Sequence, residues 1–570
     1  MTADKIHQST QPDPTQSSSS VSTSESNSES SSESTLTLRP RYVSRTQGIL
    51  LHPTSLPSPE GIGGLGPEAY HFLEWLTQCG ARAWQMLPLV PIGAGHSPYS
   101  SSSAFAGNVL LISLAKVMEQ GWITSEEYHD YLNDAETWGL DHVNYAQVIQ
   151  KKTHLLAQAA DRYLSALSVA AESNAPSQET SSALQKRLDQ FRHEQRDWLN
   201  DAALFEVISS QTLTPWWEWP VTLRQRQPLA LQHAKKKFRV DIDRYTVIQM
   251  WFQNQWDELR AAATDRGIEL IGDVPIYVDH NSADVWGHPE LFELDDAGLP
   301  LTVAGVPPDA FSETGQLWGC PLYRWDAHED EGYMWWKRRL ARALALTHTV
   351  RIDHFRAFAA YWSIPYGAED ARGGEWLTGP GAKLFEALSP LLSGRRDLET
   401  LSPLIAEDLG LIDEPVRALL DQTQLPGMKV LQFAFDGNPH QEYLPHNYRS
   451  SHCVVYTGTH DNQTTRGWWE TLDERAQDQV RRYCSCAGDP SEICWDMITL
   501  AIASVATIAV IPLQDVLALG DNARMNQPSL PEGNWTWRVR HEALNPQVSG
   551  RLYALNARYG RLTPDFVHPL

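Results

Sequence analysis

The chain has 570 residues, of which 42% are hydrophobic, so it can bury a large core and has room for a main domain with insertions. Its formal net charge of −24 argues against nucleic acid as a partner, because nucleic-acid binding depends on clustered Lys and Arg, and it favours a neutral or cationic ligand. The 22 Trp residues are many, and flat aromatic faces suit sugar rings, although most Trp side chains fill cores.

The first predicted element is a disordered Ser-rich tail over residues 1–40, since residues 17–34 are almost entirely Ser, Thr, Glu and Asn. No apolar core of a signal peptide is visible, and the longest apolar stretch, Met497 to Leu513, is too short for a membrane helix. Six scattered Cys residues without metal-type spacing indicate a reducing compartment. We therefore expect a cytoplasmic protein with no membrane association and no metal.

From Arg45 onward, short apolar runs alternate with helical patterns. Eight of these runs are candidate strands: Gly48–His52, Ala83–Pro88, Glu269–Val278, Thr349–Phe355, Pro403–Glu407, Lys429–Phe435, His452–Gly458 and Ile508–Leu517. Eight strands with helices between them predict an α/β fold, a closed (β/α)8 TIM barrel, although a doubly wound open sheet would give a similar alternation.

A long interval from about residue 110 to residue 265 interrupts this alternation. Apolar residues recur there at spacings of three and four, over Tyr145 to Leu167 and Thr246 to Ala263, which is typical of helices. The interval is too long for a barrel connection and predicts an inserted, mainly helical subdomain. The polar stretch from Ala171 to Ser182 is interpreted as a loop within it.

The glycines of Gly61 to Gly66 match the spacing of a dinucleotide-binding loop, and a helical pattern over Pro67 to Cys79 follows them. The context does not fit, because Pro57 to Glu60 separate the glycines from the preceding strand and no acid ends the next strand. We interpret the glycines as residues that let a loop fold tightly at the mouth of a cleft, and we expect no cofactor.

Three apolar runs end in an acid: Asp353, Glu407 and Asp461. In an α/β barrel the C-terminal ends of the strands point into one cleft, so acids far apart in sequence can converge. A converging pair of carboxylates is what chemistry at a glycosidic bond requires. The structural alternative for each acid alone is a salt-bridged strand end or a helix cap.

The positions of these acids suggest different roles. Arg351 and Asp353 point to the same face of a strand, so the guanidinium would keep Asp353 ionised and oriented as a nucleophile. Burial and the charge of Asp353 would raise the pKa of Glu407 and let it act as a general acid, while its neighbour Asp408 points the other way. Asp461 could hydrogen-bond sugar hydroxyls and hold them more tightly as the ring flattens.

Several short motifs, in the right order from about Gly48 to Arg540, resemble the 4-α-glucanotransferases called amylomaltase or disproportionating enzyme, a branch of the α-amylase clan. The matching segments are Ser97–Asn108, Gly272–Val278, Gly305–Gly319, Arg351–Phe355, Ala406–Gly410, Thr459–Asn462 and Ala523–Asn526. The resemblance implies a retaining double displacement that moves a segment of an α-1,4-glucan or maltooligosaccharide to the 4-hydroxyl of an acceptor, without cofactor or metal.

The resemblance also implies roles for individual residues. Asp353 would be the nucleophile, Glu407 the general acid and base, and Asp461 the stabiliser of the transition state. Further substrate contacts would come from Tyr99, Asp273, Gln316, Trp318, Arg351 and His460. A loop at about residues 303–323 would overhang the cleft.

Two positions depart from the family pattern. Ala310 stands where some members carry an aromatic side chain, which bears on product size, and Cys320 stands where Asn or Ser is frequent. An α-1,4-glucan hydrolase using the same carboxylates remains the alternative function, because the sequence does not show how well water is excluded. A glucan-binding protein without activity is a second alternative, which the presence of all three acids and Arg351 disfavours.

Overall fold

The structure is a computed structural model, and it describes residues 45–168, 181–308, 312–393, 402–410, 412–528 and 530–562. The predicted disordered tail and Ala310 lie outside the described residues, as does nearly all of the predicted loop at 171–182. Among the described residues, no helix combines the length and the apolar character needed to cross a bilayer.

Twelve strands occur in these residues. They are β1 (Thr46–Leu50), β2 (Ala83–Gln85), β3 (Glu269–Pro275), β4 (Thr302–Val306), β5 (Gln316–Pro321), β6 (Thr349–Asp353), β7 (Ala360–Pro365), β8 (Glu375–Thr378), β9 (Leu404–Ala406), β10 (Gly427–Val430), β11 (Cys453–Tyr456) and β12 (Ile508–Pro512). The eight candidate strands predicted from the sequence correspond to β1, β2, β3, β6, β9, β10, β11 and β12.

Those eight strands form a parallel barrel in the order β10-β11-β12-β1-β2-β3-β6-β9. Contacts between β9 and β10 close the ring: the backbone N–H of Ala406 donates to the carbonyl of Pro426 at 3.0 Å, and that of Met428 donates to Oδ1 of Asp408 at 2.6 Å. The prediction of a closed (β/α)8 barrel is therefore confirmed, and the open doubly wound sheet is excluded.

Side chains of the barrel strands point alternately into the barrel and out toward the surrounding helices. Leu50 points inward while its neighbour Ile49 packs against the outer helices, as expected when successive side chains face opposite sides of a sheet. The interior is apolar, formed mainly by Leu50, Ala83, Leu87, Ile271, Ile405, Met428, Val430, Val454, Tyr456, Ile508 and Val510. Such a packed interior leaves the chemistry to the loops at the ends of the strands.

The helices of the described residues cover the barrel and form the insertion. They are α1 (Pro67–Cys79), α2 (Leu114–Glu119), α3 (Ser125–Ala135), α4 (Tyr145–Ser168), α5 (Ser181–Glu194), α6 (Leu199–Thr212), α7 (Val221–Arg224), α8 (Pro228–Lys237), α9 (Arg239–Asp265), α10 (Ala283–Gly287), α11 (Trp325–Asp330), α12 (Met334–Leu346), α13 (Ala382–Ser393), α14 (Glu414–Thr423), α15 (Thr465–Thr471), α16 (Glu474–Cys484), α17 (Ile493–Ala503), α18 (Leu513–Val516) and α19 (Pro546–Arg558).

The interval between β2 and β3 contains α2 to α9, and its helical patterns were predicted correctly as α4 and α9. A buried ion pair attaches it to the segment that follows β1: Nζ of Lys152 on α4 lies 2.8 Å from Oε2 of Glu60, and the two side chains are only 1% and 7% exposed. By contrast, the neighbouring Lys151 pairs with Asp134 at the surface, where both are about half exposed.

The glycine-rich segment before α1 is a tightly packed loop, as predicted. A Cβ atom at Gly63 would lie 2.1 Å from the carbonyl oxygen of Pro53, and one at Gly64 would lie 2.4 Å from that of Leu111. Only glycine allows backbones to approach this closely. The motif therefore has a packing explanation.

A second sheet was not predicted from the sequence. Strands β4, β5, β7 and β8 form an antiparallel sheet in the order β5-β4-β7-β8, inserted between barrel strands. Among its described residues, the segment at 303–323, interpreted as a loop, thus contains two paired antiparallel strands, β4 and β5. All four residues of β8 and the first four of β5 are exposed, so these strands lack the apolar runs that reveal the barrel strands.

The C-terminal segment ties the first strand to the last. Arg561 is fully buried, and its guanidinium donates to the carbonyls of Thr46 at the start of β1, of Ile502 on α17 and of Ala506 just before β12. On α19, Nδ2 of Asn556 donates to the carbonyl of Cys79 at 2.9 Å. These bonds connect the two ends of the barrel sequence at the bottom of the ring.

Candidate active site

The site is organised around Arg351 in the middle of β6, whose side chain is only 4% exposed. Its Nη2 donates to Oδ1 of Asp353 at 2.7 Å, and its Nη1 donates to Oδ2 of Asp273 on β3 at 2.6 Å. Although burial opposes the charge, the two carboxylates raise the pKa of Arg351 well above its usual value. The guanidinium is therefore a fixed cation that orients Asp353 toward the cleft.

Glu407 directly follows β9 and is held beside Asp353. Its Oε2 accepts from the backbone N–H of His354 at 2.7 Å and its Oε1 from that of Leu409 at 2.9 Å. Burial, and then the charge of Asp353, raise the pKa of Glu407 to about 7, against the opposing effects of Arg351 and the two N–H donors. A carboxyl with that pKa can both give and take a proton near neutral pH.

The adjacent Asp408 points away from this pair, as the sequence predicted. Its Oδ1 accepts from the backbone of Met428 on β10, so it acts in the closure of the barrel. Two consecutive acids are thereby separated into one that faces the cleft and one that supports the ring.

Asp461 lies in the loop after β11 and is fixed by residues from two directions. Its Oδ1 accepts from Nδ2 of Asn526 at 2.6 Å, and its Oδ2 lies 3.2 Å from Nε2 of His460. Although burial alone would raise it, the pKa of Asp461 is lowered to about 2 by the charge and hydrogen bond of His460, by Asn526 and by the charge of Arg351. Its side chain remains 44% exposed, so an ionised carboxylate faces the cleft.

Tyr99 connects the Asp461 loop to Arg351. Its ring stacks on that of His460, with centroids 5.1 Å apart and planes 17° apart, and its hydroxyl donates to Oδ2 of Asp273 at 2.8 Å. The Asp273 carboxylate is fully covered by these partners, with 0% of its side chain exposed. In this geometry Asp273 faces Arg351 and Tyr99, and it supports the site from below.

Trp318 and Gln316 approach the site from β5. The indole of Trp318 meets the ring of His354 edge to face, with centroids 4.8 Å apart, and its Nε1 donates to Oε1 of Gln316 at 3.0 Å. Trp318 is nevertheless 38% exposed. Cys320, further along the same strand, is partly buried, and burial raises the pKa of its thiol to about 12.

The predicted residues thus form one connected group. A continuous series of hydrogen bonds, ion pairs and one ring stack connects six of them: Asp353, Arg351, Asp273, Tyr99, His460 and Asp461. Glu407 is connected to this series by the backbone N–H of His354. The ring of His354 contacts Trp318, which in turn donates to Gln316. Among the described residues, no group of three or more His, Cys, Asp or Glu side chains is arranged to hold a metal ion.

The sequence analysis assigned no role to two contributors, although both lie in segments that resemble the family, Arg351–Phe355 and Ala523–Asn526. His354 adopts a left-handed backbone (φ 55°), which turns its N–H onto Glu407, and burial lowers the pKa of its imidazole to about 4. Asn526 and Arg524 follow β12, and Arg524 donates to the carbonyl of Asp461 at 2.6 Å. Their position after a barrel strand was the available signal.

The structure is a parallel (β/α)8 barrel with three acids at the C-terminal ends of its strands, and one of them, Glu407, has a pKa near neutrality. This combination is typical of enzymes that act on glycosidic bonds. Comparison with known proteins narrows this class. The chain belongs to the 4-alpha-glucanotransferase family, whose model matches residues 51–544.

Individual relatives agree with that family. The 4-alpha-glucanotransferase of Thermus thermophilus is 44% identical over 524 residues, covering 91% of this chain and 99% of the relative. The chloroplastic/amyloplastic enzyme of the same name from Solanum tuberosum is 43% identical over 528 residues, covering 91% and 87%. The solved amylomaltase of Streptococcus agalactiae, in complex with acarbose, superposes with a TM-score of 0.84 at 36% identity and covers 91% of this chain and 100% of that one.

Proposed function

We propose that this enzyme is a 4-α-glucanotransferase that works by retaining double displacement with Asp353 as nucleophile, Glu407 as general acid and base, and Asp461 as stabiliser of the transition state. The observation that carries the proposal is the arrangement around Arg351 and His354, which orients the Asp353 carboxylate beside a carboxyl with a pKa of about 7. A nucleophile and a proton donor held side by side are the two groups that retention requires.

In the first step, an oxygen of Asp353 attacks the anomeric carbon of an α-1,4-linked glucan. The bond from that carbon to the departing O4 breaks, and Glu407 gives its proton to this oxygen, leaving a glucosyl ester on Asp353. Asp461, ionised above about pH 2, faces the cleft where positive charge develops on the sugar ring.

In the second step, the ionised Glu407 takes the proton of the 4-hydroxyl of an incoming glucan, the new C1–O4 bond forms, and the ester bond to Asp353 breaks. Because the bond made is equivalent to the bond broken, the exchange is nearly thermoneutral. Asp273, Arg351 and Tyr99 are proposed to keep Asp353 in position through both steps, with Tyr99 and His460 beside the sugar.

Transfer in preference to hydrolysis requires that water be kept from the ester. We propose that strands β4 and β5 cover the cleft, because Trp318 on β5 rests against His354, the residue after the nucleophile. Gln316 and Trp318 would then contact substrate. The names of the relatives favour transfer over the hydrolase alternative.

The substrates follow from the family, which acts on α-1,4-glucans, and we propose maltooligosaccharides as donors and acceptors. A cytoplasmic location stays a prediction, since relatives include a bacterial enzyme and plant enzymes named chloroplastic/amyloplastic.

Incubation of the purified protein with maltotriose tests the function directly. A ladder of longer oligosaccharides plus glucose is expected, and glucose with maltose alone would instead indicate a hydrolase. Asp353→Asn should abolish the ladder while leaving the protein folded. Substantial ladder formation by that variant would overturn the choice of nucleophile.

A further inference from the structure

An exposed aromatic side chain lies on the four-stranded sheet, outside the group of residues around the three carboxylates. Trp376 is 40% exposed, and it lies in β8, a strand whose four residues are all exposed to solvent. An exposed indole offers a flat apolar face on which a ring of a ligand can stack. The question is whether this indole is held in a fixed orientation, as a binding surface would need.

Two contacts hold the indole of Trp376. The Cζ of Arg356 lies over the ring of Trp376 at 4.0 Å from the centroid, and the ring of Trp362 on β7 meets it at 66° with centroids 5.2 Å apart. Trp362 is itself fixed by its Nε1, which donates to the carbonyl of Ala371 at 2.9 Å. Trp376 therefore presents an exposed indole surface whose orientation is set in advance, which lowers the entropic cost of binding.

The support of Trp376 is continuous with the active site. Arg356 belongs to the turn that follows Asp353, and its Nη2 donates to Oδ2 of Asp413 at 3.2 Å. Asp413 in turn begins α14, the helix that follows Glu407. Arg356 follows β6, and its partner Asp413 lies in the segment that follows β9. The indole of Trp376 therefore lies near the C-terminal ends of the barrel strands, where the three carboxylates are.

Cross-strand pairing separates Trp376 from the residues already assigned to the cleft. Trp376 pairs with Trp362, which pairs with Gly305, which pairs with Leu317, so these four lie on one face of the sheet. Trp318, the next residue after Leu317, points to the opposite face, toward His354. Trp376 is therefore not part of the Trp318 contact.

We propose that Trp376 is a stacking platform for a distal segment of a long α-1,4-glucan, outside the subsites that surround Asp353, Glu407 and Asp461. This inference rests on the proposed function, because the occupant is the same neutral polymer that the cleft would cleave. The flat apolar face of glucose rings suits an indole, and exposed Thr378, two residues further along β8 and on the same face, offers a hydroxyl to the sugar. Long donors would gain this contact, and maltotriose would be too short to reach it.

The test compares Trp376→Ala with a matched control, Leu377→Ala. Leu377 is the next residue of the same strand, is 37% exposed and points to the other face, so its removal perturbs β8 similarly without touching the platform. Binding to soluble amylose is measured by affinity electrophoresis, and kcat/KM is measured with maltotriose and with amylose as donors.

Trp376→Ala should weaken amylose binding and raise the KM for amylose about two- to tenfold, the range expected for loss of one aromatic contact. Its kcat/KM with maltotriose should stay within about twofold of the wild type, and Leu377→Ala should match the wild type in both assays. If Trp376→Ala folds poorly, Trp376→Leu keeps an apolar side chain without the flat ring and should show the same selective loss.

Unchanged amylose binding in a folded Trp376 variant would overturn the proposal. So would an equal loss with maltotriose and amylose, since that would place the indole in the catalytic subsites. A wild-type protein that forms no ladder from maltotriose would overturn the proposed function instead, and the amylose-binding comparison would still decide the platform.

Discussion

Replacement of Asn526 by Ala tests how the Asp461 carboxylate is held. The change removes the 2.6 Å hydrogen bond from Nδ2 to Oδ1 of Asp461 but leaves His460 and the backbone bond from Arg524 in place. A hydrogen bond to a charged group contributes about 1.5–3 kcal/mol. Since 44% of the Asp461 side chain is exposed, solvent screens the bond, and we take about 1–1.5 kcal/mol.

That free energy predicts a fall in kcat/KM of about five- to tenfold if Asp461 stabilises the transition state. The same bond favours the ionised form, so its loss should raise the pKa of Asp461 by about one unit from its value of about 2. A carboxylate with a lowered pKa loses its charge as the pH falls through that value. The acidic limb of the pH profile should therefore move to higher pH in the variant.

The assay is maltotriose disproportionation, with kcat/KM measured from about pH 1 to about pH 8, a range that extends about one unit beyond the limbs expected at about 2 and about 7. Asn522→Ala is the matched control, because Asn522 is exposed on the same loop and the same atoms are removed. A value of kcat/KM for Asn526→Ala that equals the control, with a superimposable pH profile, would refute the reasoning. A uniform loss without movement of the acidic limb would refute the electrostatic part alone.

Three further predictions concern other parts of the molecule. Because a general acid must carry its proton, kcat/KM should fall as the pH rises through about 7, the pKa of Glu407. Asp353→Asn removes a charge that raises this pKa, so the pKa should fall in the variant when it is measured from the carboxyl signal of 13C-labelled Glu. An unchanged titration midpoint would show that the charge of Asp353 does not act on Glu407. Lys152→Met should cost about 3–5 kcal/mol in denaturant unfolding, because the buried Glu60 carboxylate loses its cation and keeps only the N–H donors of Leu114 and Ala115. Lys151→Met at the surface should cost less than about 1 kcal/mol, and equal costs for the two variants would contradict this reasoning. Trp318→Ala should raise the share of glucan ester lost to water, measured as new reducing ends per transfer, and an unaltered share would argue against shielding by β5.

The barrel could be predicted from the sequence because its strands are buried on both faces. Such strands read as continuous apolar runs, as in Ile508–Pro512, and three of the runs lead to an acid, Asp353, Glu407 and Asp461. Helices α1, α4 and α9 were visible for a similar reason, since each buries one face against the core. The strand ends also predicted Asp353, Glu407 and Asp461 as a group.

The second sheet and part of the site could not be predicted in this way. Strand β8 exposes all its residues, so neither an apolar run nor an alternation marks it. The bond from the N–H of His354 to Glu407 depends on a left-handed backbone that a non-glycine residue rarely adopts, and the bond from Asn526 to Asp461 joins residues 65 positions apart. Both arise only once the barrel has brought the loops together.

The interactions of Arg561 have a consequence for biosynthesis. Strand β1, the first barrel strand to leave the ribosome, is flanked by β2 and by β12. Arg561, whose guanidinium donates to the carbonyl of Thr46 at the start of β1, is translated only after all eight barrel strands. A nascent chain stalled before residue 561 would lack this buried donor and leave the carbonyl of Thr46 without it. Nonsense truncations just upstream of that arginine should accordingly yield aggregated protein, although every group around Asp353 is already encoded.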